Sequence, residues 1–145
     1  MGFVLQDGGL LPHLTVRENA EIAQKLSRQR PDPERIIRLA DEMGIGGYLD
    51  RYQSALSGGQ RQRAAVLRSL VTGAPLLLAD EPTAALDPRN SRAVLEAMVH
   101  SSRDRGATVI VASHNADLLG QFGFRICRVH VEEAADTRHA TLVAV

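Results

Sequence analysis

Two short, nearly continuous apolar runs, PLLLAD at residues 75–80 and ATVIVAS at residues 107–113, constrain the fold of this chain most strongly. Strands buried on both faces read this way, whereas half-exposed strands alternate apolar and polar residues. Between the runs, Asp87 and Pro88 open a helical pattern that carries Val94, Leu95, Met98 and Val99. Strand, helix and strand in that order form a βαβ unit, so the expected class is α/β with a parallel sheet and a right-handed crossover. Further strands are expected near residues 124–131 and 140–145.

The first third of the chain reads differently. After a short opening strand or loop, Thr15 and Glu18 form a capping-box pattern, with Val16, Ala20, Ala23 and Leu26 on one helical face. Asp32 before Pro33 starts a second helix bearing Ile36, Leu39, Ala40 and Met43. Residues 27–33, rich in Arg, Gln and Pro, join the two helices. The chain divides on this reading into a helical part at about 10–55 and a core at about 56–145.

Composition excludes several classes. A chain of 145 residues, 44% hydrophobic and 23% charged, can bury a core and is not disordered. Its apolar runs are too short to span a bilayer, and residues 1–6 lack the basic and long apolar regions of a secretory signal. One cysteine, Cys127, permits no intramolecular disulfide framework and fits a reducing cytoplasm. Within a strand it reads as a small buried hydrophobe. Zero formal net charge argues against nucleic-acid binding driven by bulk charge. Arg61, Arg63 and Arg68 read as a solvated or ion-paired helix face rather than a phosphate-binding patch. His13, His100, His130 and His139 show no ligand spacing, so no transition-metal site is expected. The 17 basic residues comprise 16 Arg and one Lys, Lys25.

The chemistry-bearing residues lie at the ends of these elements. In LSGGQ, residues 56–60, Ser57, Gly58, Gly59 and Gln60 precede a helical pattern that ends near Gly73. Open N–H groups, a hydroxyl and the positive end of the helix dipole make such a start an anion site. Asp80 and Glu81 follow four apolar residues at the C-terminal end of a strand, where open α/β sheets bind ligands. There Asp80 could hold Mg²⁺, and Glu81 could polarise an attacking water. Residues 84–87 (AALD) form a second loop, and Ser113 and His114 end the next strand at the same sheet edge. Gln6, near the start, is an amide able to sense a phosphate or its metal.

Taken together, these motifs resemble those of the ATP-binding cassette (ABC) ATPases, the nucleotide-binding subunits of ABC transporters, over residues 3–131. Residues 4–6 (VLQ) look like the family's Q-loop, and residues 56–60 match its signature motif. Residues 76–81 (LLLADE) resemble the Walker B strand with its catalytic glutamate, residues 84–87 the D-loop, and His114 the switch histidine. The resemblance implies a P-loop NTPase-type parallel sheet with a helical subdomain, and ATP with Mg²⁺ as cofactors. It implies catalytic roles for Glu81 and His114, metal binding by Asp80 and Gln6, and nucleotide contacts from Ser57, Gly58, Gly59, Gln60 and Asp87. It also implies two partners: a second cassette packed head to tail, and a transmembrane permease reached through the helical subdomain. The location so implied is cytoplasmic, at the inner face of the cell membrane. Residues around the signature look most like stand-alone subunits of lipoprotein release and of macrolide or peptide export.

Three departures qualify the match. Ala84 and Ala85 stand where a small polar residue is common in the D-loop, and Asn115 follows the histidine where an acidic residue is frequent. More importantly, GxxxxGK[ST], the P-loop that cradles phosphates, is absent. Lys25 follows Gln24 within a helical pattern. The chain thus reads as the C-terminal part of a cassette, without its N-terminal strands and P-loop, and is expected to be inactive alone. A shortened chain, a misplaced start or a gene fragment would each give this pattern. Alternatives to the transporter reading are a soluble non-transport ABC ATPase and a non-enzymatic remnant or interaction module.

Overall fold

In the computed structural model, residues 1–5, 8–134 and 137–144 are described, with backbone alone from residue 130 onward. Two compact units are present, Met1–Ser113 and His114–Val145. The division expected near residue 55 falls inside the first.

Helices begin where local capping chemistry places them. Thr15 caps α1 (Val16–Leu26) with a complete capping box: Thr15 Oγ1 accepts from the Glu18 N–H at 3.2 Å, and Glu18 Oε2 accepts from the Thr15 N–H at 2.7 Å. Asp32 caps α2 (Pro33–Glu42), its Oδ1 accepting from the Arg35 N–H at 2.9 Å. Two 3-10 turns, Gly46–Tyr48 and Gln53–Ala55, lead into α3 (Gly58–Leu70). Asp87 caps α4 (Pro88–Arg105), which ends at Gly106 in the left-handed region, φ 64°, a conformation glycine adopts without steric cost.

The inner face of α1 differs from the expected one. Val16 and Ala20 are buried, but Leu26 is 78% exposed, and the polar Asn19 and Gln24 are buried instead. Their amides are satisfied by backbone groups of the neighbouring loops and helix ends. Asn19 Nδ2 donates to the carbonyls of Leu11, Leu14 and Thr15, and its Oδ1 accepts from the Leu11 N–H at 2.8 Å. Gln24 Oε1 accepts from the Asp32 N–H at 2.9 Å, and its Nε2 donates to the Val71 carbonyl at 3.3 Å. Leu26 lies in the last turn, beyond this packing.

The expected βαβ unit is present. Strands β1 (Gly2–Val4), β2 (Leu76–Asp80) and β3 (Thr108–Ala112) form a parallel sheet in the order β1-β2-β3, with α4 between β2 and β3 in the chain. Register places Gly2, Leu77 and Val109 in one cross-strand row, Phe3, Leu78 and Ile110 in the next, and Val4, Ala79 and Val111 in the third. The first and third rows share a face. Val4, Leu77 and Ala79 are at most 4% exposed there, and Leu77 faces Ser69 and Leu70 of α3 and Met98 of α4.

Burial on both faces, as the continuous apolar runs suggested, does not hold. Phe3 and Ile110 are 47% and 55% exposed. In the first unit the helices that meet the sheet, α3 and α4, cover the Leu77 side.

In the second unit, Asn115 caps α5 (Ala116–Gln121) by accepting from the Leu118 N–H at 3.1 Å. Strands β4 (Cys127–Ala134) and β5 (Thr137–Ala144) pair antiparallel with each other, from Cys127↔Ala144 to Ala134↔Thr137. The closing strands expected near 124–131 and 140–145 are therefore a separate hairpin, shifted toward the C-terminus and toward the N-terminus respectively. Cys127, expected to be buried, is exposed, because a two-stranded sheet has no second strand layer to cover it.

Candidate functional site

The signature turn is built by reciprocal hydrogen bonds. Ser57 Oγ accepts from the Gln60 N–H at 3.3 Å, and Gln60 Oε1 accepts from the Ser57 N–H at 2.8 Å. This box starts α3 at Gly58 and leaves the Gly58 and Gly59 N–H groups in the first turn, beyond reach of any intrahelical carbonyl. The two glycines serve different ends. A Cβ on Gly59 would lie 3.2 Å from both the Ala85 carbonyl oxygen and a Leu86 methyl, so glycine lets residues 85–86 approach closely there. At Gly58 a Cβ would meet nothing within 4 Å, so the chain itself leaves that position open.

Asp80 ends β2 and is exposed, with Glu81 beside it. Glu81 adopts φ 45°, a left-handed conformation that costs a non-glycine residue of order 1 kcal/mol and persists only when its surroundings fix it. Three contacts do so here. Its N–H donates to the Ala112 carbonyl at 2.9 Å, Gln62 Nε2 of α3 donates to its carbonyl at 3.4 Å, and Ser113 Oγ donates to its Oε2 at 3.1 Å. The turn at residues 81–86 is closed by the Ala84 N–H to the Glu81 carbonyl and the Leu86 N–H to the Thr83 carbonyl.

Asp87 does local work. Its Oδ1 accepts from the N–H groups of Arg89 and Asn90, both at 3.0 Å, and its Oδ2 accepts from Asn90 Nδ2. The Asn90 backbone N–H, then its side-chain amide, holds the Asp87 carboxyl below its ordinary range.

Of the residues singled out in the sequence, the first unit brings together Ser57, Gly58, Gly59 and Gln60, the turn at 84–87, and Asp80 with Glu81, through α3 and the sheet edge. His114 opens the second unit. Gln6 lies outside the described residues. Three residues were missed as site components: Gln62, Arg63 and Ser113. A signal existed for the first two. Gln62 lies on the helical period of buried Val66 and Ser69, and Arg63 on that of Leu67 and Leu70, so both polar side chains point inward.

The arginines of α3 are likewise not a solvated or ion-paired face. Arg61 Nη1 donates to the Leu56 carbonyl at 2.7 Å, Arg63 Nη1 to those of Met43 and Gly44 at 2.9 and 3.2 Å, and Arg68 Nη1 to that of Gly9 at 2.6 Å. Burial lowers the pKa of Arg68 from its ordinary value. Main-chain carbonyls at loop and helix ends are the acceptors this planar donor fork finds.

Among the described residues, no three His, Cys, Asp or Glu side chains converge as a metal cage, and no helix is long and apolar enough to cross a membrane.

A family model described as ABC transporter matches residues 1–84. The chain belongs to the ABC transporter family. The thiamine import ATP-binding protein ThiQ of Photobacterium profundum is 42% identical over 121 residues, which cover 81% of this chain and 49% of ThiQ. The macrolide export ATP-binding/permease protein MacB of Shigella flexneri is 40% identical over 124 residues, 83% of this chain and 19% of MacB. Among solved structures, the dimeric post-hydrolysis state of the ATP-binding cassette MJ0796, bound to ADP and Pi, matches with a TM-score of 0.76 at 31% identity. That match covers 87% of this chain and 56% of MJ0796. The fold is thus that of an ABC cassette, and the chain spans about half the length of ThiQ. An importer and an exporter are similar to this cassette to nearly the same degree, so identity does not single out the export subgroup.

Proposed function

We propose that this chain is the signature-bearing part of an ATP-binding cassette that energises an ABC transporter. The observation that carries the reading is the joining, through α3, of an open glycine turn at Ser57 to an acidic strand end at Asp80 and Glu81. The donors fit the nucleotide and its metal. First-turn amides and the Ser57 hydroxyl suit a phosphate, and an exposed carboxylate at Asp80 suits Mg²⁺, which takes one or two carboxylates alongside phosphate oxygens. ATP with Mg²⁺ supplies the cleavable phosphoanhydride and its charge neutralisation.

The chain's own residues then divide the work. Ser57, Gly58 and Gly59 contact the γ-phosphate of a nucleotide held by a second cassette, with Gln60 fixing the turn that presents them. The open space at Gly58 suits that approach. Asp80 holds the metal, and Glu81 orients and deprotonates the attacking water. Its carboxylate is anchored at Oε2 by the Ser113 hydroxyl, which holds the side chain at the strand end where that water would sit. His114 contacts the γ-phosphate, Gln6 links the metal to the helical part, and Asp87 shapes the D-loop next to the nucleotide. The helical part at about 10–55 faces a membrane permease, which places the assembly at the cytoplasmic side of the membrane.

Fusing a family segment that bears GxxxxGK[ST] ahead of Met1 tests the reading. The completed cassette is expected to hydrolyse ATP, and Glu81→Gln to lower turnover at least 100-fold, in the range seen when a positioned acid–base group is lost. The 145-residue chain by itself is expected to show no turnover. A completed cassette without ATPase activity, or full activity in Glu81→Gln, would overturn the reading. Co-purification with a membrane permease supports the transport role, whereas ribosome or DNA association would point to a soluble ATPase.

A further inference from the structure

Arg63 is 9% exposed, on α3 one turn beyond the signature glycines. Its guanidinium joins three segments that are distant in sequence. Nε donates to the Gly59 carbonyl at 3.3 Å, within the signature turn. Nη1 donates to the Met43 and Gly44 carbonyls, where α2 ends, and to Asn90 Oδ1 at 2.8 Å. Asn90 in turn donates through Nδ2 to Asp87, the residue that closes the loop at 84–87 and caps α4. At its other end the same loop lies against Gly59, where a Cβ would meet the Ala85 carbonyl oxygen at 3.2 Å. Gly44 is equally constrained: it has φ 65°, and a Cβ there would sit 3.2 Å from Arg63 Nη1.

A buried guanidinium must spend its donors inside the protein, because each one left unpaired carries a desolvation cost. Arg63 spends them on the end of α2, on the signature turn and on the residue that holds Asp87. We propose that Arg63 is a positioning residue of the ATPase cycle, fixing the signature turn and the loop at 84–87 as one body and tying both to the end of α2. A displacement of the helical part then moves the phosphate-contacting turn and Asp87 together. A lysine keeps a donor for some of the acceptors that Nη1 serves but has no counterpart of the Nε–H bond to Gly59, so it can restore the link only in part. This inference rests on the ATPase reading above.

The test uses the completed cassette with Arg63→Lys, Arg63→Ala, Asn90→Ala and the Arg63→Ala/Asn90→Ala pair, alongside thermal melts of the full 145-residue variants. Arg63→Ala is expected to lower kcat about 10-fold or more while KM for ATP changes less than threefold, and Arg63→Lys to fall between Ala and wild type. The double variant is expected to be no slower than Arg63→Ala, because both changes cut one chain of contacts. If Arg63→Ala does not fold, Asn90→Ala carries the test, with a kcat loss of about threefold in a variant that still melts cooperatively. Wild-type kcat in Arg63→Ala or in a folded Asn90→Ala overturns the proposal, as do multiplicative losses in the pair. A wild-type fusion with no turnover instead defeats the ATPase reading, and this inference with it.

Discussion

On one face of the three-stranded sheet, Val4, Leu77 and Ala79 are sealed beneath helices; on the other, Phe3 and Ile110 are about half exposed. The strands are nearly uniform in hydropathy, with Leu77 and Leu78 the same residue on opposite faces. What separates the faces is the helical layer. From the covered side, Gln62 reaches the Glu81 carbonyl, and Ser69 Oγ donates to the Phe3 carbonyl. The acidic strand end is thus held jointly by Gln62 of α3 and by Ala112 and Ser113 at the end of β3.

This contrast is open to direct attack. The largest effect is expected from Leu77→Ala, 4% exposed in the wild type, which should lose about 2–5 kcal/mol in urea unfolding followed by circular dichroism. A loss no greater than that of a change on the open face would erase the distinction. Next comes Ser57→Ala, which removes the cap of the helix that builds the covered layer and should cost about 1 kcal/mol. Ile110→Thr, on the open face, should shift stability by about 0.5 kcal/mol or less. A cost near that of Leu77→Ala would show that the open face is covered in solution.

The smallest change at neutral pH is expected for Asp87→Asn, since Asn caps a helix about as well as Asp. In acid the two should diverge. Because hydrogen bonds lower the Asp87 pKa in the folded state, its contribution is complete above the ordinary Asp value of about 3.9 and is lost as pH falls through the lower folded value. Acid unfolding monitored by ellipticity should therefore show a shallower pH dependence for the variant. Equal slopes would mean that Asp87 is no more strongly held in the fold than in the unfolded chain.

Caps and the crossover were legible in the sequence because their chemistry is local. Thr15 with Glu18, Asp32 with the amide of Arg35, and Asp87 with the amides of Arg89 and Asn90 each act within three residues. The motif order likewise pointed to the family. Inward polar side chains were only partly legible: the helical period set Arg63 among buried positions, but the carbonyls that Gln24 and Arg63 serve, on Val71 and Met43, lie 47 and 20 residues away. The left-handed φ of Glu81 follows from contacts with Ala112, Gln62 and Ser113, which no window around residue 81 contains. Nor could apolar runs reveal which sheet face the helices choose, since that depends on the path of the chain between them.

Strand order also has a consequence in time. β1 pairs with β2 at Gly2↔Leu77, a partner about 75 residues further along. At ribosomal rates of about 5–20 residues per second, the first strand waits roughly 4–15 seconds for its neighbour to be made. Until then the β1–β2 ladder cannot form, so the order of the sheet ties its assembly to the emergence of residues 76–80.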